Sequence, residues 1–390
     1  MTTTDRDIDT QLRAWRRDLH RIPETAFEEH LTSTYVATAL EEIGFDVALG
    51  IGGTGVVGSL SRGTSTRAVG LRADMDCLPL QEIDGREHGS THPGRMHACG
   101  HDGHMAMVLG AASVLAADQD LDGTIRVIFQ PAEEPGRGAQ AMIDDGLFER
   151  FPIDALHGLH NLPGLPTGHL HTRAGGIMAS EDNFEIVITG RGGHAARPEA
   201  VIDPLVTGAE IVLALQTVVA RNIDPVVPAV LSCTGFHTDG ARNAIPGTVT
   251  ITGDTRSFDA SVQALLERRI REISHGIAAA HGATCTVTYT HEFAPTVNNS
   301  VRTRVAADAA MAALGADRVN SDSAPIMGSE DFGVFARHVS ACFSFLGNGT
   351  TEGNGGSPLH SPTYDFNDQA LTAGVAFYTE VVRQELARLH

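Results

Sequence analysis

The sequence predicts an α/β protein: a mostly parallel sheet covered by helices, interrupted by a smaller inserted α+β domain. Three observations carry this. First, short apolar runs alternate with longer helical stretches: Arg67–Ala73, Thr124–Gln130, Ala155–His160 and Ala341–Leu346. That is the pattern of strands buried on both faces. Second, polar residues follow these runs: Asp74-Met75-Asp76, Pro131-Ala132-Glu133-Glu134, the terminal His160 and, beyond a Gly-rich loop, Leu359-His360-Ser361. Open α/β sheets bind ligands beyond the carboxyl ends of their strands, so these residues can converge. Third, from about Ala179 to Phe293 the order becomes β-α-β-β-α-β, the ferredoxin-like arrangement.

Each element follows from its local pattern. Ile8 to Gly44 carries apolar residues at helical spacing, broken by Ile22-Pro23-Glu24, so two helices and a turn are expected. Phe45 to Val57 reads as strand and turn. Arg95 to His104 reads as an extended loop, and the apolar run Met105–Ala117 as the buried helix it feeds. In the insert, strands are expected at Asn183–Thr189, Val227–Phe236, Thr248–Thr255 and Thr284–His291. Helices are expected at Asp203–Arg221 and Asp259–His281. Ser300–Leu314 and Val375–Leu389 return to the first domain as helices. The expected boundaries are therefore 1–178 and 294–390 for the large domain and 179–293 for the insert. There is no internal repeat.

With 390 residues the chain has ample core for two or three domains. A net charge of -20, with no lysine, argues against nucleic acid as a partner. Five scattered cysteines, an odd number, argue against a disulfide framework. The start, Met1-Thr2-Thr3-Thr4-Asp5-Arg6-Asp7, has neither a basic nor an apolar leader segment. No apolar run reads as long enough to span a bilayer. A reducing cytoplasm, with no membrane partner, is the expectation.

The densest chemistry lies in Met96-His97-Ala98-Cys99-Gly100-His101-Asp102-Gly103-His104. Side chains two apart share a face of an extended segment, so His97, Cys99 and His101 are expected to point into one site. Thiolate and imidazole together suit zinc and similar transition metals. Glu133 and Glu134 would point opposite ways on an extended segment, one toward a metal and the other toward substrate as a general base. His160 competes with His157 for a ligand role. Asp74 and Asp76 fit either turn positions or carboxylates that orient a ligand imidazole. Alone, His360, the Gly190–His194 turn, Asn243 and Arg256 are unremarkable surface residues.

Taken in order, these stretches resemble the M20 family of metallopeptidases and amidohydrolases, most closely its aminoacylase and hippurate-hydrolase-like branch. The similarity rests on Arg16-Arg17-Asp18-Leu19-His20 with Pro23-Glu24 and Glu28, on Leu71–Asp76, and on His97-Ala98-Cys99-Gly100-His101-Asp102. It continues through Gln130–Glu134, Gly158–Asn161, Gly192–Pro198, Asn243–Pro246, Asp254–Arg256, Met327–Phe332 and Leu359–Pro362. The resemblance implies two divalent ions (zinc, manganese, cobalt or nickel) held by Cys99, His101, Glu134, His160 and His360. Cys99 would stand where other branches use a bridging aspartate. It implies Glu133 as general base, Asp76 as the residue orienting a ligand, and His194 as a donor to the tetrahedral oxyanion, reaching across a dimer. Asn243 and Arg256 would hold a substrate carboxylate, and Gly328 would line the pocket. The insert would be the lid and the homodimerisation domain. The implied reaction is hydrolysis of a small-molecule N-acyl amino acid; a dipeptidase, an N-carbamoyl amino acid hydrolase and a catalytically silent relative are the alternatives. Asn161 departs from the resemblance, since an apolar residue is more usual after this histidine.

Overall fold

The computed structural model describes residues 3–83 and 85–387; Leu389, the expected end of the last helix, lies outside them. The chain forms two compact units. One comprises Met1–Ile177, Val297–Pro325 and Asp331–His390, the other Met178–Thr296 and Ile326–Glu330. Residues 326–330 were expected with the first unit. They join the second because the Ala179 N–H donates to the carbonyls of both Ile326 (3.2 Å) and Gly328 (3.1 Å).

The first unit is built on an eight-stranded sheet. Its order is Asp46–Ile51, Gly55–Arg62, Gly123–Gln130, Ala68–Asp74, Ala155–Pro163, Ala341–Gly349, Leu170–His171 and Val319–Asn320. The four central strands run parallel. Antiparallel neighbours flank them on both sides. Ala68–Asp74 is buried along its whole length, which explains why it reads as a continuous apolar run without alternation. The His101–Ala117 helix is buried on nearly every side, between the sheet and the helices Thr3–Arg21, His30–Ile43 and Leu371–Ala387.

The second unit is a four-stranded antiparallel sheet in the order Thr284–Phe293, Glu181–Thr189, Thr248–Ser257, Ala229–Thr238, the ferredoxin-like order. Phe184, Ile186 and Ile188 alternate inward with period two and pack with Ile211, Leu215 and Leu266 of its two helices. Asp203 and Asp259 cap those helices, Pro204–Asn222 and Ala260–Ala280, by accepting backbone N–H bonds. Contrary to expectation, Pro204–Asn222 is long and apolar enough to cross a bilayer by length and composition. Its buried face nevertheless packs into this unit's core.

His157 and His160 are three apart on one strand, so they face opposite sides of the sheet. His157 is fully buried, 3.1 Å from Glu385 of the last helix. Burial alone would lower its basicity, but Cys342 and Glu385 raise it above the ordinary histidine value. A pH test follows. Protonated His157 contributes fully below its unfolded-state value of about 6.5, and this stability is lost as pH rises through the raised folded-state value. Urea midpoints of wild type and His157→Gln should therefore differ more at about pH 6 than at about pH 9. An equal gap at both would mean that His157 is neutral in the fold.

Candidate metal centre

The centre forms where the sheet changes direction. From Ala68–Asp74 the chain adds Gly123–Gln130 on one side and Ala155–Pro163 on the other. Such a switch point leaves a crevice beyond the strand ends. Asp74 is level with Gln130 there, so Asp74, Asp76, Glu133 and Glu134 leave adjacent strands close together.

The histidine–cysteine stretch does not behave as one extended face. Gly100 adopts a left-handed conformation (φ 91°), and its carbonyl accepts from Gly103 and His104. The helix therefore begins at His101, not at Met105, and the alternation ends at Cys99. Cys99 and His101 both enter the site. His97 does not: it is buried beside His20, their ring centroids 6.2 Å apart.

Glu133 and Glu134 likewise do not diverge. The backbone turns at Ala132, whose φ is +51°, and the buried Glu29 carboxylate accepts the Ala132 N–H at 2.9 Å. Both glutamates consequently approach the same atom, with Glu133 Oε2 and Glu134 Oε1 each 3.9 Å from His101 Nε2. Asp76 holds this turn from below. One of its carboxylate oxygens accepts from Glu133 N–H and the other from Glu134 N–H, each at 3.1 Å.

The donor atoms are oriented for a shared ligand. His101 Nδ1 donates to the Asp76 carbonyl (2.8 Å) and His160 Nδ1 to the Asn161 carbonyl (2.6 Å), leaving both Nε2 atoms facing inward. His160 Nε2 lies 3.3 Å from Cys99 Sγ, and His360 Nε2 lies 3.6 Å from Glu134 Oε2. In each of the sets Cys99–His101–His160, Cys99–Glu134–His360 and His101–Glu133–Glu134, the donor atoms lie within 4.8 Å of one another. His101 Nε2 and Glu134 Oε1 are buried with no hydrogen-bond partner among the described residues. Orphaned buried polar atoms are rare, and two aimed into one cluster of soft and hard donors fit a divalent cation.

The buried groups of the centre also shift one another's protonation. Burial would make His101 less basic, but Asp74, Asp76 and Glu134 push it up to about 10. Burial, reinforced by Asp76 and Asp74 against the opposing His101, raises Glu134 to about 7. Burial and the neighbouring His104 and His101 hold His160 well below its usual value, so it is neutral and fit to ligate. Burial, then His101, lowers His360 as well.

His194, Asn243, Arg256 and Gly328 lie on the second unit, in two groups. Exposed His194 pairs with Ala244 across a two-stranded arm, next to Asn243, whose carbonyl accepts from Ala195 N–H. Arg256 is engaged by Glu181 (2.9 Å) and Asp254 (3.2 Å) and donates to the Met327 carbonyl, one residue before exposed Gly328. Three site residues carried no role in the sequence. His104 bonds Asp74 (2.7 Å) through Nδ1 and accepts from Asn161 N–H (3.0 Å), and its i+3 spacing from His101 was the available signal. Asn161 was visible only as a misplaced polar residue. Glu29 gave none, because its contact is made across 103 positions.

The comparisons agree with this geometry. The model for "Peptidase family M20/M25/M40" matches residues 70–384. The chain is 38% identical to a hippurate hydrolase of Campylobacter jejuni, over 97% of this chain and 98% of the relative. It is 36% identical to an N-acetyl-L-cysteine deacetylase of Bacillus subtilis, over 97% and 89%. Among solved structures it is similar to the YXEP protein of Bacillus subtilis, described as a dinuclear metal binding peptidase from the M20 family (TM-score 0.83, 31% identity, 97% and 98% covered). A cluster of metal donors at a sheet switch point and a match across most of the chain give one answer: this chain belongs to peptidase family M20/M25/M40.

Proposed function

We propose that this chain is a metal-dependent amidohydrolase that cleaves N-acyl amino acids, of the N-acetyl or N-benzoyl type, to a carboxylate and a free amino acid. One observation carries the reading: buried His101 Nε2 and Glu134 Oε1, neither with a hydrogen-bond partner among the described residues, lie 3.9 Å apart beside Cys99, His160 and Glu133. The names of the hippurate hydrolase and the N-acetyl-L-cysteine deacetylase support the substrate class. Cys99, His101, Glu134, His160 and His360 would hold two divalent ions, of zinc, manganese, cobalt or nickel. Such ions, when bound, polarise an amide carbonyl and acidify water. Glu133 takes the proton of the attacking water and returns it to the leaving amine nitrogen. Asp76 fixes the turn that aims Glu133. His194 keeps its expected part as an oxyanion donor, a role worth roughly 3–4 kcal/mol per donor in comparable sites.

The direct test is release of free amino acid from N-acetyl, N-benzoyl and N-carbamoyl amino acids and dipeptides. Chelated protein is used, with each divalent metal added back. Glu133→Gln should retain metal and lose about 10²–10⁴-fold in turnover; a fully active variant would overturn the assignment of the base. Asp76→Asn brings an amide N–H against a backbone N–H. It should weaken metal binding about 10–100-fold in a chelator competition. Unchanged affinity there would deny Asp76 its positioning part.

The second unit supports a homodimer. Leu205, Val206 and Leu213 are exposed along its first helix, and Ala229–Thr238 is an outer strand of its sheet. Sedimentation should give a dimer, and Leu213→Glu should shift it toward monomer. A monomeric wild type would end this reading.

A further inference from the structure

Asn161, the residue that departs from the resemblance, is completely buried and uses its whole amide. Its Nδ2 donates to the Cys99 carbonyl (2.6 Å) and lies 3.1 Å from His104 Nε2. Its Oδ1 accepts from the Tyr364 hydroxyl at 2.7 Å. Tyr364 is also fully buried and lies four residues after His360. The Cys99–Gly100 corner rests directly on this pair. A Cβ at Gly100 would collide with Asn161 Nδ2 and with the Tyr364 hydroxyl. No backbone ladder connects the segment before His101 to the Ala155–Pro163 strand; the Asn161 side chain ties the Cys99 backbone to that strand, alongside the contact of the Cys99 sulfur with His160.

We infer that Asn161 and Tyr364 are positioning residues. Together they clamp the Cys99 backbone so that its sulfur stays beside His160 Nε2, and so set the thiolate arm of the metal centre. Leu at position 161 would fill similar space but leave the buried Cys99 carbonyl and the Tyr364 hydroxyl without these partners, which is costly for both. The Cys99 corner would then be free to move away from His160. The inference rests on the reading of Cys99 as a metal ligand, and the experiment separates the two.

Cobalt(II) alone is titrated into the chelated full-length chain. Wild type, Asn161→Leu, Tyr364→Phe and Cys99→Ser are compared for affinity and for thiolate-to-cobalt charge-transfer absorption. Asn161→Leu and Tyr364→Phe should each weaken cobalt binding about 10–100-fold and lower the charge-transfer band per bound cobalt. Tyr364→Phe leaves the buried Asn161 Oδ1 without its donor, so its metal-free urea midpoint should fall while the chain stays folded, and cobalt binding is compared on the folded variant. Should Asn161→Leu fail to fold, Tyr364→Phe decides alone. Wild-type affinity and an undiminished band in the variants would overturn the inference, as would weaker binding with the band per cobalt unchanged, since Cys99 would then still be in place. If wild type itself shows no thiolate band, and Cys99→Ser binds cobalt equally well, the reading of Cys99 as a ligand fails and the positioning part falls with it.

Discussion

Buried charge must be neutralised, and the first unit is arranged around that requirement. An ionised carboxylate taken out of water costs several kcal/mol unless partners replace its hydration. Asp74 meets the demand with Arg72, itself 1% exposed, and with His104. Arg72 reaches on to Asp331, and Gln130 ties the two together. Asp76 meets it with two backbone N–H groups. Below the strand ends, then, charge is answered by fixed protein donors. At the level of Glu134 the surroundings change to imidazoles and a thiol, and two polar atoms remain unanswered. There His101 and Glu134 lie within ion-pair range of each other, but neither His101 Nε2 nor Glu134 Oε1 has a hydrogen-bond partner among the described residues.

Hydrogen bonds behind the donors determine how well that place is formed. Each inward-facing imidazole has its other nitrogen committed to a backbone carbonyl, which selects the tautomer and the ring plane. The glutamate turn is held on one side by Asp76 and on the other by Glu29, with a left-handed Ala132 between them. A non-glycine residue in that conformation persists only where its surroundings compel it. The buried Glu29 carboxylate is part of that compulsion.

Much of this was legible in the sequence. The buried strands announced themselves as apolar runs ending in chemistry, and the insert by its alternation and its β-α-β-β-α-β order; the aspartate caps of its two helices are findings of the structure. The two errors at the metal centre share one cause, the use of strand geometry where the chain turns. His97, Cys99 and His101 were placed on one face because Gly100 was not read as the left-handed residue that starts a helix. Glu133 and Glu134 were set apart because nothing local signals that Ala132 reverses the backbone. His157 and His160 show the converse: strand alternation, applied strictly, separates them without a structure. Tyr364 and Glu29 stayed silent, and Asn161 showed only as an unexpected polar residue, because their partners lie 57 to 203 positions away, and pattern within one segment carries no record of such contacts.

The strand order also bears on how the molecule is made. Ala341–Gly349 is an interior strand, hydrogen-bonded to Ala155–Pro163 on one side and to Leu170–His171 on the other. Its synthesis comes after the whole of the second unit, whose sheet is formed from residues 181–293 alone. On the ribosome the insert can therefore collapse before the large sheet closes, as a self-contained body. Meanwhile the carrier of His160 waits with an open edge until nearly the last fifty residues emerge. A nascent chain halted before that point would hold the thiol, the imidazoles and the carboxylates on an incomplete sheet, exposed to adventitious metal and to edge-to-edge pairing.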